Sequence, residues 1–93
     1  MKKKKTIKNK WCAFGGFWKD SIGKIIDVYE GSVEILYSEG QMYPPELWDK
    51  HYVKVFNFPE EALDYVAQYD DCGGREHALK VFKQNFPSVK NVK

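Results

Sequence analysis

The chain has 93 residues with a formal net charge of +2, 43% hydrophobic and 30% charged residues. That is one domain with one modest core, which excludes a two-domain architecture and a composition-driven disordered chain. Two cysteines sixty positions apart, Cys12 and Cys72, exclude a disulfide framework and favour a reducing compartment, so a cytoplasmic location is expected.

In chain order, residues 1–9 read as a disordered basic arm rich in lysine, and residues 10–93 as a single domain. A secretory signal is not expected, because the apolar stretch after the lysines is short, contains Gly15-Gly16 and lacks a small-residue cleavage site. Lys10 to Phe14 read as a short strand and Gly15-Gly16 as a turn or open loop. Ile22 to Tyr29 is rich in β-branched residues, with Ile26 and Val28 assigned to one face and Asp27 to the other. After the turn Glu30-Gly31-Ser32, Val33 to Ser38 alternates, with Val33, Ile35 and Tyr37 sharing a face. Glu39-Gly40 makes a tight turn, Gln41 to Tyr43 starts a returning strand, and Pro44-Pro45 ends it. Pro45 to Trp48 suits one 3₁₀ turn, and Tyr52 to Phe56 is the last strand. The expected core of this half is Ile26, Val28, Val33, Ile35 and Val55.

The hydrophobic period then lengthens to about 3.6. Pro59 suits a first helical position, with Glu60 and Glu61 in the first turn, and Leu63, Val66 and Ala67 form an apolar stripe. Gly73-Gly74 breaks this helix. A second helix runs from about Arg75 to Asn85 with Ala78, Leu79, Phe82 and Phe86 on one face, and Pro87 stops it. The domain therefore divides into a β part (10–58), a helical pair (59–86) and a tail (87–93).

Charge is segregated along the chain. Residues 1–19 carry seven lysines and no acid (+7), residues 20–76 carry thirteen acids against four bases (−9), and residues 77–93 carry four lysines (+4). An acidic body repels phosphate backbones and attracts basic surfaces. The expectation is a binding protein with a basic protein or peptide as partner. The alternative is a nucleic-acid binder using Lys2, Lys3, Lys4, Lys5, Lys8 and Lys10 for phosphates and aromatic rings for stacking.

The stretch WCAFGGFW (residues 11–18) supplies those rings. Trp11 and Phe14 lie three apart, so on a strand they point to opposite faces and belong to packing. Trp18 follows the glycine pair and precedes Lys19-Asp20, which assigns it to a binding surface with Phe17, Tyr37, Tyr43 and Glu39.

No catalytic motif stands out, and no enzyme, metal or cofactor is expected. Cys12, Cys72, His51 and His77 match no zinc-knuckle or ribbon spacing. Cys72 and His77 are five apart, a poor spacing for a helical nucleophile and base, with no third group to orient them. Asp70-Asp71 and Glu60-Glu61 read as helix-end charges, and neither glycine pair carries the Lys-Ser/Thr of a phosphate loop. No stretch reaches transmembrane length, so no membrane partner is expected.

Five short strands with a 3₁₀ turn before the last, followed by two helices, describe an α+β fold built on a small SH3-like barrel. The segment GKIIDVYEGSVEILYSEGQMYPPELW resembles the centre of Tudor- and KOW-type barrels, through Gly23 to Val28, Val33 to Tyr37, Glu39-Gly40 and Leu47. The resemblance covers residues 22–56. It implies peptide binding, in some members by an aromatic cage, which would draw here on Trp11, Phe14, Phe17 or Trp18 with Tyr37 and Tyr43. KOW-like members bind RNA, DNA or ribosomal and polymerase proteins. Ser38-Glu39-Gly40-Gln41 stands where the family has an aromatic-Gly-Asn run. The size and style fit a bacterial or phage-encoded regulator or inhibitor.

Overall fold

The computed structural model describes residues 7–15, 21–40, 44–69 and 73–92. Among these, β1 (Trp11–Phe14), β2 (Ser21–Val28), β3 (Ser32–Leu36), β4 (Glu46–Asp49) and β5 (Val53–Phe56) form one antiparallel sheet, ordered β4-β3-β2-β1-β5. Two helices follow, α1 (Pro59–Ala67) and α2 (Gly74–Asn85). The fold is α+β, as expected. No pairing joins the edge strands β4 and β5, so the sheet is open rather than a closed barrel.

Each strand has two chemically distinct faces because side chains alternate. β1 sits between β2 and β5, with Cys12 opposite both Gly23 and Val55 and Trp11 opposite both Lys24 and Phe56. All four of its residues are buried. Cys12 and Phe14 point to the inner face, into a cluster with Ile25, Val33 and Ile35, flanked by Val28, Val53, Val55, Tyr37 and Trp48. Trp11 points to the outer face, into a cluster with Leu63, Phe82, Phe86 and Val92. Its ring meets those of Phe82 and Phe86 edge-on, at centroid distances of 5.2 and 5.1 Å. The helices thus supply the second layer that the outer face of β1 requires. Ile35 is fully buried and is paired with Ile25. Ile35→Ala is expected to cost about 2–5 kcal/mol, measured by chemical denaturation.

Four expectations are corrected. The inner face of β2 carries Ile25, and Ile26 is only half-buried. The cause is a register shift between Ile25 and Asp27 against β3. One extra residue restores Val28 to the inner face opposite Val33, which strict alternation does not anticipate. Second, Glu46 to Asp49 is a strand and the 3₁₀ turn comes after it, at Lys50–Tyr52. The Asp49 side chain accepts from His51 N at 2.8 Å, so the turn starts at this cap and not at the prolines. Pro44 and Pro45 precede an edge strand, where a missing donor is tolerated. Third, the arm expected over residues 1–9 does not extend to Ile7. Ile7 packs on the inner cluster, Lys10 N donates to Ile7 O at 3.1 Å, and Asn9 N donates to Ile25 O at 2.7 Å. Fourth, the strand expected over 41–43 lies outside the described residues, and β3 ends at Leu36 rather than Ser38.

The helices begin where the sequence indicates. Pro59 is the first residue of α1, and Glu61 reaches back to accept from Asn57 N and Phe58 N at 3.1 and 3.3 Å, satisfying donors the helix leaves open. Ala62, Leu63 and Val66 face inward.

Candidate functional site

The sheet is strongly curled, and its curvature assembles an aromatic rim at one end. The rings of Phe14 on β1 and Trp48 on β4 lie 5.5 Å apart, although β4 is three strands away. In a flat sheet that separation is about 14 Å. Tyr37 lies 6.0 Å from Phe14, and Tyr52 lies 6.4 Å from Trp48. Gly15 N donates to Tyr52 O at 3.3 Å, which ties the end of β1 to the start of β5. Glu46 accepts at this rim from both Trp48 Nε1 (3.2 Å) and the Tyr37 hydroxyl (3.4 Å).

Tyr37 stands at this rim, half-buried, with its ring against Phe14. Phe17, Trp18 and Tyr43 lie outside the described residues. So do Lys2, Lys3, Lys4, Lys5 and Cys72. Glu39 is engaged elsewhere: its carboxylate accepts from Ser88 N at 3.0 Å and from Ser88 Oγ, while Glu39 N donates to Asn85 O at 2.7 Å. It fastens the turn after β3 to the end of α2. The Ser88 hydroxyl, then the Ser88 amide, hold its carboxyl below the usual glutamate range. A carboxyl so depressed stabilises the fold above its ordinary pKa, and that stabilisation fades as pH falls through the folded value. Glu39→Gln is expected to lower Tm at pH 7, with the difference from wild type shrinking by about pH 3, read by thermal melts at both pH values.

The outer face of β2, β3 and β4 beyond the helices is acidic. Asp27 and Glu34 stand directly opposite one another across β2 and β3, and Leu47 on β4 pairs with Glu34 on its other side. Like charges in this position repel. The Tyr29 hydroxyl lies 3.4 Å from Asp27 Oδ2 and 3.2 Å from Glu34 Oε1, donating its one proton to either. The charge of Asp27, then that of Glu34, raises the Tyr29 pKa, since a phenolate there would face two carboxylates. Leu47 is 63% exposed and Tyr29 46%. Neither Asp27 nor Glu34 is ion-paired with a described residue; the Arg75–Asp64 pair joins α2 to α1. Strand β4 thus has carboxylates on both sides, Glu46 within the rim and Glu34 beside the exposed leucine.

The described lysines are mostly placed elsewhere. Lys10 donates to Asn57 Oδ1 at 2.6 Å, Lys24 lies over the Trp11 ring, and Lys54 lies over the rings of Phe56 and Tyr65. Lys8 is in the turn before β1. Lys50 approaches the acidic face, donating to Glu30 O at 3.3 Å.

Cys12 carries no chemistry. Burial pushes its thiol up to about 12, against a smaller downward pull from a backbone hydrogen bond with Gly23, so it is a thiol and not a thiolate at neutral pH. No group of three or more metal-ligating side chains occurs among the described residues, and no described helix is long and apolar enough to cross a membrane. Asp27, Tyr29, Glu34 and Leu47 were not in the expected partner-binding set. The alternation of Val33 to Ser38 already assigns Glu34 outward, but the pairing of Leu47 with it depends on where β4 begins. No protein-family model matches the chain, and no curated protein or solved structure matches it either.

Proposed function

We propose that the protein is a non-catalytic interaction module that docks a basic protein or peptide on the β3–β4 edge. The observation that carries this reading is the exposed Leu47 paired across β3–β4 with Glu34, which itself stands opposite Asp27 on β2. An apolar anchor beside like charges is the pattern of a hot spot with electrostatic steering. A basic partner would relieve the repulsion that the free protein bears across β2 and β3. On the inner face of the same strands, Tyr37 and Trp48 donate to Glu46. The strand order, with a 3₁₀ turn between the two edge strands, supports an SH3-like reading of the curled sheet, and a regulator or inhibitor role suits a module of this size.

Capture from native lysate is expected to survive nuclease and to weaken with salt. The double variant Glu34→Lys with Leu47→Ser is expected to lower affinity for the captured basic protein by about thirtyfold or more while leaving Tm near that of wild type. Capture abolished by nuclease, with the double variant unaffected, would instead assign the surface chemistry to nucleic acid through the basic arm.

A further inference from the structure

Strand β4 ends the sheet. In an antiparallel ladder, alternate residues turn their N–H and C=O groups away from the neighbouring strand. On one side β4 pairs with β3, from Ser32–Asp49 to Ile35–Glu46. On the other side no described residue takes its backbone groups. Glu46, Leu47 and Asp49 are exposed, so this edge is open to solvent as well as unpaired. Helix α1 packs on β1, β2 and β5 rather than on β4. The chemistry around the edge is one-sided. Leu47, Glu34 and Asp27 form a single row on the outer face across β4, β3 and β2. Asp49 shares that face two residues on, opposite Ser32, and Glu46 lies on the inner face. Carboxylates and a preceding proline are devices that keep an edge from pairing with its own kind. A second copy of β4 would bring Glu34, Glu46 and Asp49 of both molecules together. The same carboxylates favour a strand of opposite charge.

We propose that the basic partner docks as an extended segment, adding a strand to the free edge of β4 with a lysine or arginine opposite Leu47. This rests on the β3–β4 edge being the docking surface and specifies how it is used. The outward N–H and C=O groups of β4 pair with any extended chain, so the backbone supplies the alignment. The row on the outer face supplies the selectivity. Strands lie about 4.8 Å apart, so the added one stands about 10 Å from β3. A long side chain opposite Leu47 lays its methylene stem over the leucine and carries its charge on to Glu34. That one contact removes apolar surface from water and compensates the carboxylate pair. A short or acidic residue there does neither. The next outward position of the added strand faces Asp49, whose carboxylate also caps the turn at Lys50–Tyr52. A second basic residue two positions away is therefore favoured, and the recognised pattern is a basic residue at every second position of an extended segment.

The test titrates the full-length protein with a fluorescent octapeptide of alternating lysine and threonine, read by anisotropy, beside the same peptide N-methylated at every backbone amide. The two carry equal charge, and only the first can donate to an edge. The first is expected to bind about tenfold or more tightly, the equivalent of roughly two backbone hydrogen bonds. Amide exchange at alternate residues of Glu46–Asp49 is expected to slow when it is added. The double variant Glu34→Gln with Leu47→Ser, which leaves the β4 backbone intact, is expected to weaken its binding. Equal affinity for the two peptides overturns strand addition, and leaves the docking surface standing if both respond to the double variant. Binding of neither peptide overturns the proposal, and the docking reading falls with it when lysate capture is also absent. Dimerisation through β4, seen as a concentration-dependent sedimentation coefficient that the peptide does not reverse, overturns it as well, because the edge then belongs to a second copy.

Discussion

A chain shortened to residues 1–58 is expected to lose cooperative folding. The outer face of β1 has no cover other than the helices: Trp11 contacts Phe82 and Phe86, and Ile22 and Leu36 pack on the same cluster. Removing residues 59–93 exposes these three side chains. At about 1.5–3 kcal/mol for each large apolar side chain, the loss is roughly 5–9 kcal/mol. Whole domains are stable by only about 5–15 kcal/mol. The fragment should bind a hydrophobic dye, give no sharp thermal transition and self-associate through its uncovered sheet. A monomeric 1–58 fragment with a sigmoidal melt would show that the sheet stands alone.

Gly23→Ala is expected to be among the most damaging single methyl additions in the protein. A Cβ at this position would lie 3.0 Å from both Leu36 O and Phe14 Cε1, and closer still to Ile35 Cγ2. The backbone carbonyl belongs to the ladder between β2 and β3 and has little room to yield. Replacing glycine ordinarily gains about 0.4–1 kcal/mol by restricting the unfolded chain. Overpacking costs about 1–3 kcal/mol and so outweighs that gain. A net loss of 1 kcal/mol lowers Tm by about 4–8 °C in a domain of this size. Gly31→Ala is the control, because nothing lies within 4 Å of the added atom there. Equal melts for the two variants would show that the strands relax around Gly23.

Local signals carried the helices and the hairpin turns. Pro59, the acids after it and the 3.6-residue stripes place α1 and α2 to within a residue or two, and Gly40 at φ 56° occupies the left-handed turn its sequence suggests. The opposite orientations of Trp11 and Phe14 follow from counting along a strand. Features set by non-local contacts were not legible. The shift between Ile25 and Asp27 is a property of how β2 meets β3, and nothing in IGKIIDVY distinguishes Ile25 from Ile26 as the inner residue. The start of β4 depends on its pairing with β3, and the proximity of Phe14 to Trp48 on sheet curvature. Glu39 was assigned to a binding surface because its acid-glycine turn is exposed in sequence terms; its partner Ser88 lies 49 residues away. The acids of the β2–β3 hairpin were visible as outward residues, whereas their opposition across the strands required the register.

The burial of Trp11 against Phe82, Phe86 and Val92 has a consequence for how the molecule comes apart. In many domains the termini fray first, each at little cost to the rest. Here the first strand is hydrogen-bonded to both its neighbours, and its tryptophan is gripped by the last helix and the segment beyond it. Loosening the stretch from Phe82 to Val92 removes the cover from β1, and loosening β1 detaches β5 from β2, so the two are coupled. Hydrogen exchange is therefore expected to show β1 and the stretch from Phe82 to Val92 opening together, as one unit.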